Sequence, residues 1–449
     1  MKEPMKFSMP CLILLALAAI ALSDCTTATE ATVRDSADST FFMPGQFEEQ
    51  ESVWLGWQAY PPYYAVGAAM IKALKPHVKL NVVSETDSMG DVCKSYLIKE
   101  GIDTTGIRFF VMPNNEFWMR DHGATFVVNK VGEMKAVDFE WCTYGYKDWL
   151  YNLFDTDSAK AEAAFAKSPA SKRGVIDSLM ALTLDVPPIK SWINIEGGGI
   201  EVNGKGTLIL NESLMMQRNK GASKDSIAAE MKRVLGVRNV IWLPYGLVED
   251  PHVWQLIADK YIGLGTGGHT DEFVRFANAN TILLAWVSEA ERYANPVNTL
   301  NFERMSANER ILREAVDQDG RPFQIVRVPL PPPILKNIKL NEPGMWDSLY
   351  NVSVSVFPKS LNLNPGDSVF RVAAASYLNY YVANGVVLLP DYSMHGEEYK
   401  LLQEKVANTF SKIYPDKELV FLEVMPLNWE GGGIHCGTQQ EPKRIRQAL

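Results

Sequence analysis

The heptapeptide Asn-Ile-Glu-Gly-Gly-Gly-Ile at 194–200 returns as Asn-Trp-Glu-Gly-Gly-Gly-Ile at 428–434, and only the second copy runs on into His435-Cys436. A chain that writes one glycine-rich corner twice is expected to contain repeated structural units. Fainter likenesses agree. F-V-R-F-A-N-A-N-T-I-L-L at 273–284 and Y-L-N-Y-Y-V-A-N-G-V-V-L-L at 377–389 each place an aromatic residue seven before an Asn that turns into an apolar strand. I-E-V-N-G-K-G-T-L-I-L at 200–210 has the same strand, turn, strand grammar, with an Asn-Gly turn signal. Together these predict pseudo-repeats around an axis, with equivalent loops converging at one mouth.

Short β-branched runs at 78–84, 108–112, 125–128, 207–210, 239–243, 281–286, 385–389 and 418–423 read as strands. Between them, segments such as 65–74, 226–235 and 397–410 space apolar residues by three and four, as amphipathic helices do. The alternation predicts an α/β fold. With 449 residues, 47% of them hydrophobic, the chain can bury a large core, and no linker or low-complexity block interrupts residues 41–445. That span reads as one catalytic-size unit.

The formal charge of −9, with no Lys/Arg run, argues against nucleic acid as a partner and suits a small cation better. At the N-terminus, Lys2 and Lys6 precede a twelve-residue apolar run from Cys11 to Leu22. Spanning a bilayer takes about 20 apolar residues, so residues 1–24 read as an export signal and the mature protein is expected in a bacterial periplasm or on a membrane. Leu22-Ser23-Asp24-Cys25 resembles a lipobox in which Cys25 would be lipidated and anchor the chain, although Asp24 stands where a small residue is usual. Residues 25–40, rich in Thr, Ser, Asp and Ala, read as a flexible tether. Beyond them Cys93, Cys142 and Cys436 remain. Three thiols make no disulfide framework, so at least one is expected to be free, and a Cys93–Cys142 bond stays open.

Three clusters can do chemistry. W-M-R-D-H-G-A at 118–124 offers Asp121, for which an ion pair with Arg120 is the plain structural alternative. In G-T-G-G-H-T-D-E-F at 265–273, His269 and Asp271 stand two apart, so on a strand both would point to one face. In the second Glu-Gly-Gly-Gly copy, Gly431, Gly432 and Gly433 can take positive φ and carry no side chains, so they can line a tight pocket with Cys436 at its wall; a plain turn, with the cysteine in buried packing, is the alternative and the commoner fate of a free cysteine. His269, Asp271, His435 and Cys436 are also metal-ligand types, yet no paired zinc spacing accompanies them, and no metal is expected. A Cys-His acyl hydrolase is the other alternative, but Asp121, Glu196, Asp271 and Glu430 crowd the motifs with acids, a poor setting for an oxyanion. Acids gathered round a thiol suit a planar cation, and a guanidinium has that shape and charge.

At these residues the chain resembles the agmatine deiminase and Porphyromonas-type peptidylarginine deiminase family of guanidino-group-modifying enzymes. The likeness runs from F-M-P-G-Q-F-E-E-Q-E-S-V-W-L-G-W at 42–57 through W-M-R-D-H-G, I-E-G-G-G, G-H-T-D-E-F-V-R-F and A-S-Y-L-N-Y-Y-V-A-N-G to E-G-G-G-I-H-C-G-T-Q-Q-E-P at 430–442. The resemblance implies a five-bladed α/β propeller with one central active site and no cofactor. It implies Cys436 as nucleophile, His269 as acid and then base, Asp121 and Asp271 as guanidinium-binding acids, and Glu196 as support for His269. Glu430 receives no catalytic role. Trp118 is expected over the substrate's alkyl chain, Arg218 and Asn219 in a turn near the mouth, and Glu272, which replaces the family's usual Asn, near a distal amine. Agmatine hydrolysis to N-carbamoylputrescine is the first expectation, deimination of peptide arginine the second. A non-catalytic cation-binding surface lipoprotein is the alternative of another class.

Overall fold

A computed structural model describes residues 40–154, 157–341 and 352–444. The export signal, the tether up to residue 39 and Cys25 lie outside the described residues.

Val53, Trp54, Leu55 and Trp57 are buried on both faces of the strand Gln50–Trp57, the pattern of a strand covered on each side. It runs parallel to Lys79–Ser84, which runs parallel to Arg108–Val111. Helices Pro61–Leu74 and Asp87–Lys99 make the two crossovers. On its other edge Gln50–Trp57 takes Thr438–Pro442 antiparallel, Leu55 opposite Thr438, so the C-terminal strand joins the N-terminal sheet.

One antiparallel partner followed by one parallel partner is an order that four further sheets repeat. They are Thr125–Val128 with Met134–Glu140 and Pro188–Asn194; Glu201–Val202 with Thr207–Asn211 and Asn239–Leu243; Val274–Asn278 with Thr281–Trp286 and Gln324–Pro329; and Tyr381–Val382 with Val386–Asp391 and Glu418–Glu423. A sixth, mixed sheet orders His252–Ala258, Tyr261–Thr266, Ser368–Val372 and Leu335–Lys339. The parallel strand of each repeat arrives through helix. In Lys224–Leu235, Ser223 and Ser226 form a reciprocal cap while Ile227, Met231, Val234 and Leu235 turn inward. Each such buried side chain contributes about 1.5–3 kcal/mol against about 1 kcal/mol for a cap, so packing decides this helix and a charge at Met231 would undo it.

The motifs occupy one equivalent place in the repeats. W-M-R-D-H-G leads into Thr125–Val128, I-E-G-G-G into Glu201–Val202, G-H-T-D-E into Val274–Asn278, A-S-Y-L-N into Tyr381–Val382 and E-G-G-G-I-H-C into Thr438–Pro442. The doubled Glu-Gly-Gly-Gly is thus the same corner of two sheets.

Candidate active site

The five lead-in loops bring their polar side chains together. At Gly198 a Cβ would stand 2.5 Å from His269 Nδ1, 2.8 Å from Asp121 Oδ1 and 3.1 Å from Asp271 Oδ2, so three loops meet over a residue that must be glycine. Asp271 Oδ2 in turn is 3.6 Å from Cys436 Sγ, and the Asn379 side-chain amide donates to that sulfur at 3.1 Å. His269, Asp271, Asn379, Glu196 and Cys436 are all buried.

Each group is held from behind. Glu196 faces the His269 Nε2 at 3.2 Å and accepts from both the Arg218 Nε, at 3.1 Å, and the Tyr144 backbone N–H, at 3.0 Å. Asp121 accepts from the Tyr144 hydroxyl at 3.0 Å and from the Gly198 N–H at 3.1 Å, and its Oδ1 lies 3.5 Å from His269 Nδ1. Asp250 accepts the backbone N–H of Gly268 and of His269, at 3.0 and 2.9 Å, which fixes the turn carrying the imidazole. His435 Nδ1 is 2.6 Å from Asp271 Oδ2. Two buried atoms of these residues, Asp271 Oδ1 and His269 Nδ1, have no hydrogen-bond partner among the described residues, the condition expected where a ligand completes the site.

The site opens into a cavity of about 210 Å³ lined by Trp118, Asp121, Tyr144, Leu264, Gly432 and Cys436 among others. A Cβ on Gly432 would come within 2.7 Å of the Trp118 ring and 3.2 Å of Sγ, so this glycine makes room between indole and sulfur.

Charge follows from burial and neighbours. Burial opposes an imidazolium at His269, but Asp121 and Glu196 outweigh it and push it up to about 9. Burial would raise Glu196, yet Arg218 and His269 overturn that and hold it at about 2. Burial pushes the Cys436 thiol well above its ordinary value, and Asp271, Glu272 and Asp121 push it further. Burial also raises Asp121, and raises Asp271 with Asp121 adding to the effect. The site's own neighbours therefore favour an imidazolium at His269 and a thiol rather than a thiolate at Cys436.

Several expectations need correction. His269 and Asp271 do not share a strand face: His269 precedes the 3₁₀ turn Thr270–Glu272, and they converge through the turn instead. Glu272 is not near a distal amine; it is buried, accepts from Asn379 at 2.7 Å and lies 4.0 Å from Cys436 Sγ. Arg218 is not at the mouth but buried behind Glu196, and Asn219 ties Asn194 in place through its N–H at 2.8 Å and its carbonyl at 3.0 Å. Of the three glycines after Glu430, only Gly431 has positive φ; Gly433 abuts Asn379. Glu430 lines the cavity. Cys93 and Cys142 are free thiols. Asp271, Glu272 and Cys436 also set one metal-capable atom each within 4.8 Å of one another, but Oε1 of Glu272 and Oδ2 of Asp271 already face Asn379 and His435. Sequence reasoning missed Asn379, Tyr144 and Asp250, of which only Asn379, at the repeat's lead-in position, carried a signal; His435, which the sequence offers as a metal-ligand type, instead holds Asp271.

The sequence profile of the Porphyromonas-type peptidyl-arginine deiminase family matches residues 42–442. The chain belongs to that family. Family members hydrolyse carbon–nitrogen bonds, and this chain is such a hydrolase. It is 27% identical over 414 residues to the agmatine deiminase of Pseudomonas syringae pv. syringae, covering 90% of this chain and 95% of that one. It also matches the agmatine deiminase structure of Enterococcus faecalis with a TM-score of 0.66 and 24% identity, over 90% of this chain and 96% of the other. A substrate-bound agmatine deiminase of C. jejuni matches with a TM-score of 0.63 and 18% identity, over 90% and 97% of the two chains. These likenesses establish the mixed α/β fold that brings the family's motifs together here.

Proposed function

We propose that the protein hydrolyses agmatine to N-carbamoylputrescine and ammonia through a covalent intermediate on Cys436. The observation that carries this is the unpartnered buried oxygen Asp271 Oδ1, on the carboxylate whose other oxygen lies 3.6 Å from the Cys436 thiol. An acyl substrate would develop negative charge there and be repelled; a guanidinium brings the missing positive charge and planar N–H donors. Its arrival offsets the charges of Asp271, Glu272 and Asp121 that suppress thiolate formation.

In the first half-reaction the arriving cation expels the Cys436 proton to solvent water, and the sulfur bonds to the guanidinium carbon. Asp121 and Asp271 hold the plane. His269, whose imidazolium Asp121 and Glu196 favour, gives a proton to the departing nitrogen as the carbon–nitrogen bond breaks, releasing ammonia and leaving an S-alkylthiouronium. In the second, neutral His269 takes a proton from water as the water oxygen bonds to the same carbon. The carbon–sulfur bond then breaks, giving the ureido product and restoring the thiol.

We infer also that the five like sheets stand as blades of a pseudo-fivefold α/β propeller, a reading supported by their common strand order and by five loops supplying one site. Lys2, Lys6 and the apolar run support export, and Cys25 is the lipid acceptor this reading offers. The test gives purified protein agmatine, free arginine and an arginine-containing peptide, and measures ammonia and ureido product. Agmatine turnover supports the proposal. Peptide turnover selects an exported peptidylarginine deiminase, and silence on all three, unchanged by Cys436→Ala, selects a cation-binding protein.

A further inference from the structure

The segment 430–432 lines the cavity: Gly432 abuts both Trp118 and Cys436 Sγ, and the partly exposed Glu430 stands two residues before it in the chain. Two residues of chain extend at most about 7 Å, comparable to a tetramethylene spacer. Trp118, Tyr144, Tyr146, Val253 and Leu264 line the same cavity, with Thr143, Ser168 and Thr266 as its neutral polar members, and the apolar and aromatic part suits an alkyl chain.

Besides Asp121 at the inner end, Glu430 is the carboxylate lining this cavity among the described residues. Its side chain keeps 28% of its exposure, whereas that of Asp121 keeps 2%. Arg371 comes within 4.0 Å of Glu430, beyond a direct hydrogen bond; it is itself packed over the Trp254 and Trp429 rings and donates to the Trp429 carbonyl. Arg173 also lines the cavity, but Glu116 already pairs with it at 2.6 Å. Burial raises the Glu430 carboxyl and Arg371 only partly opposes this, so a second cation at this point would favour its ionised form.

We propose that Glu430 is a specificity-determining residue that receives the distal ammonium of the substrate, so the site selects a guanidine with a second positive charge one short alkyl chain away. This rests on the deiminase reading above. A free α-carboxylate would approach the same acid, and a peptide chain offers no cation there.

The test compares kcat/KM for agmatine, n-butylguanidine and free arginine in the full chain and in Glu430→Gln and Glu430→Asp. Wild type is expected to favour agmatine over butylguanidine, and Glu430→Gln to reduce that ratio by about 10- to 100-fold, the range of a hydrogen bond to a charged group, mainly through KM for agmatine. Glu430→Asp should keep part of the preference, and the disadvantage of free arginine should shrink in Glu430→Gln. A ratio unchanged in Glu430→Gln, including one in which both substrates fall together, overturns the assignment and leaves a structural residue. A wild type that turns over butylguanidine as well as agmatine overturns it while the deiminase reading stands. A wild type that acts on none of the three removes both.

Discussion

The Asn379 side-chain amide stands 3.1 Å from the Cys436 sulfur, a donor to an atom that Asp271 and Glu272 also face and that a backbone hydrogen bond from Gly433 reaches as well. Its carbonyl oxygen accepts the backbone N–H of His435 at 2.8 Å, so one buried side chain both positions the nucleophile's loop and faces its sulfur. On the proposed mechanism a thiolate formed on substrate binding accepts from this donor. Asn379→Ala should lower kcat by roughly 10- to 100-fold, corresponding to about 1.5–3 kcal/mol for a hydrogen bond to a charged group. Steady-state kinetics check this, with circular dichroism to show that the fold is kept; an unchanged kcat contradicts it.

On the proposed mechanism the carboxylates around His269 are expected to set the alkaline limit of the reaction. Proton delivery to the leaving nitrogen needs the imidazolium, so kcat/KM should fall as pH rises through about 9. Glu196→Gln removes one of the charges that lift His269 and should move this alkaline limb to lower pH. The same shift stabilises the fold: because the folded value lies above the ordinary 6.5, the contribution is complete below that pH and is lost as pH rises through about 9. Activity and denaturation profiles of the two proteins check both statements.

Arg218 is placed to act on Glu196 rather than on substrate. Arg218→Ala leaves a buried carboxylate without its guanidinium, and removing one member of such a pair costs about 3–5 kcal/mol. Urea denaturation should show that loss. Arg218→Lys should restore it only in part, since a point charge cannot reproduce the two Nε contacts at 3.1 Å to both Glu196 oxygens.

Gly432→Ala puts a methyl group 2.7 Å from the Trp118 ring and 3.2 Å from Sγ. The indole can tilt away, so folding should survive, but the narrowed cavity should lower kcat/KM about 100-fold or more by misplacing the reacting carbon. Thermal denaturation within a few degrees of wild type, alongside the kinetic loss, separates this from simple misfolding.

The acids, the imidazole and the thiol were readable because each sits in a short local motif whose residue types state their chemistry. Their neighbours were not equally readable. The His269-x-Asp271 spacing predicts one strand face, but a 3₁₀ turn intervenes; Asp271 reaches the sulfur, and Glu272 is turned onto Asn379 rather than toward a substrate amine. Arg218 looks like a surface-loop residue because the sequence does not reveal that Glu196, twenty-two positions away, lies beneath it. Asn379 was legible only through register: the likeness between 273–284 and 377–389 marks the repeat, and in the fold Asn379 occupies the lead-in that His269 and Asp271 occupy one repeat earlier. Tyr144 carried no such mark, since it lies between Met134–Glu140 and Pro188–Asn194, outside the repeated lead-ins.

Cys436 as the atom that bonds to the guanidine carbon is tested most directly by acid-quenching the protein during agmatine turnover and mapping its peptides by mass spectrometry. The expected result is a transient adduct of agmatine less ammonia on the peptide containing Cys436, absent together with all turnover in Cys436→Ser. Ammonia release that persists undiminished in Cys436→Ser would contradict it.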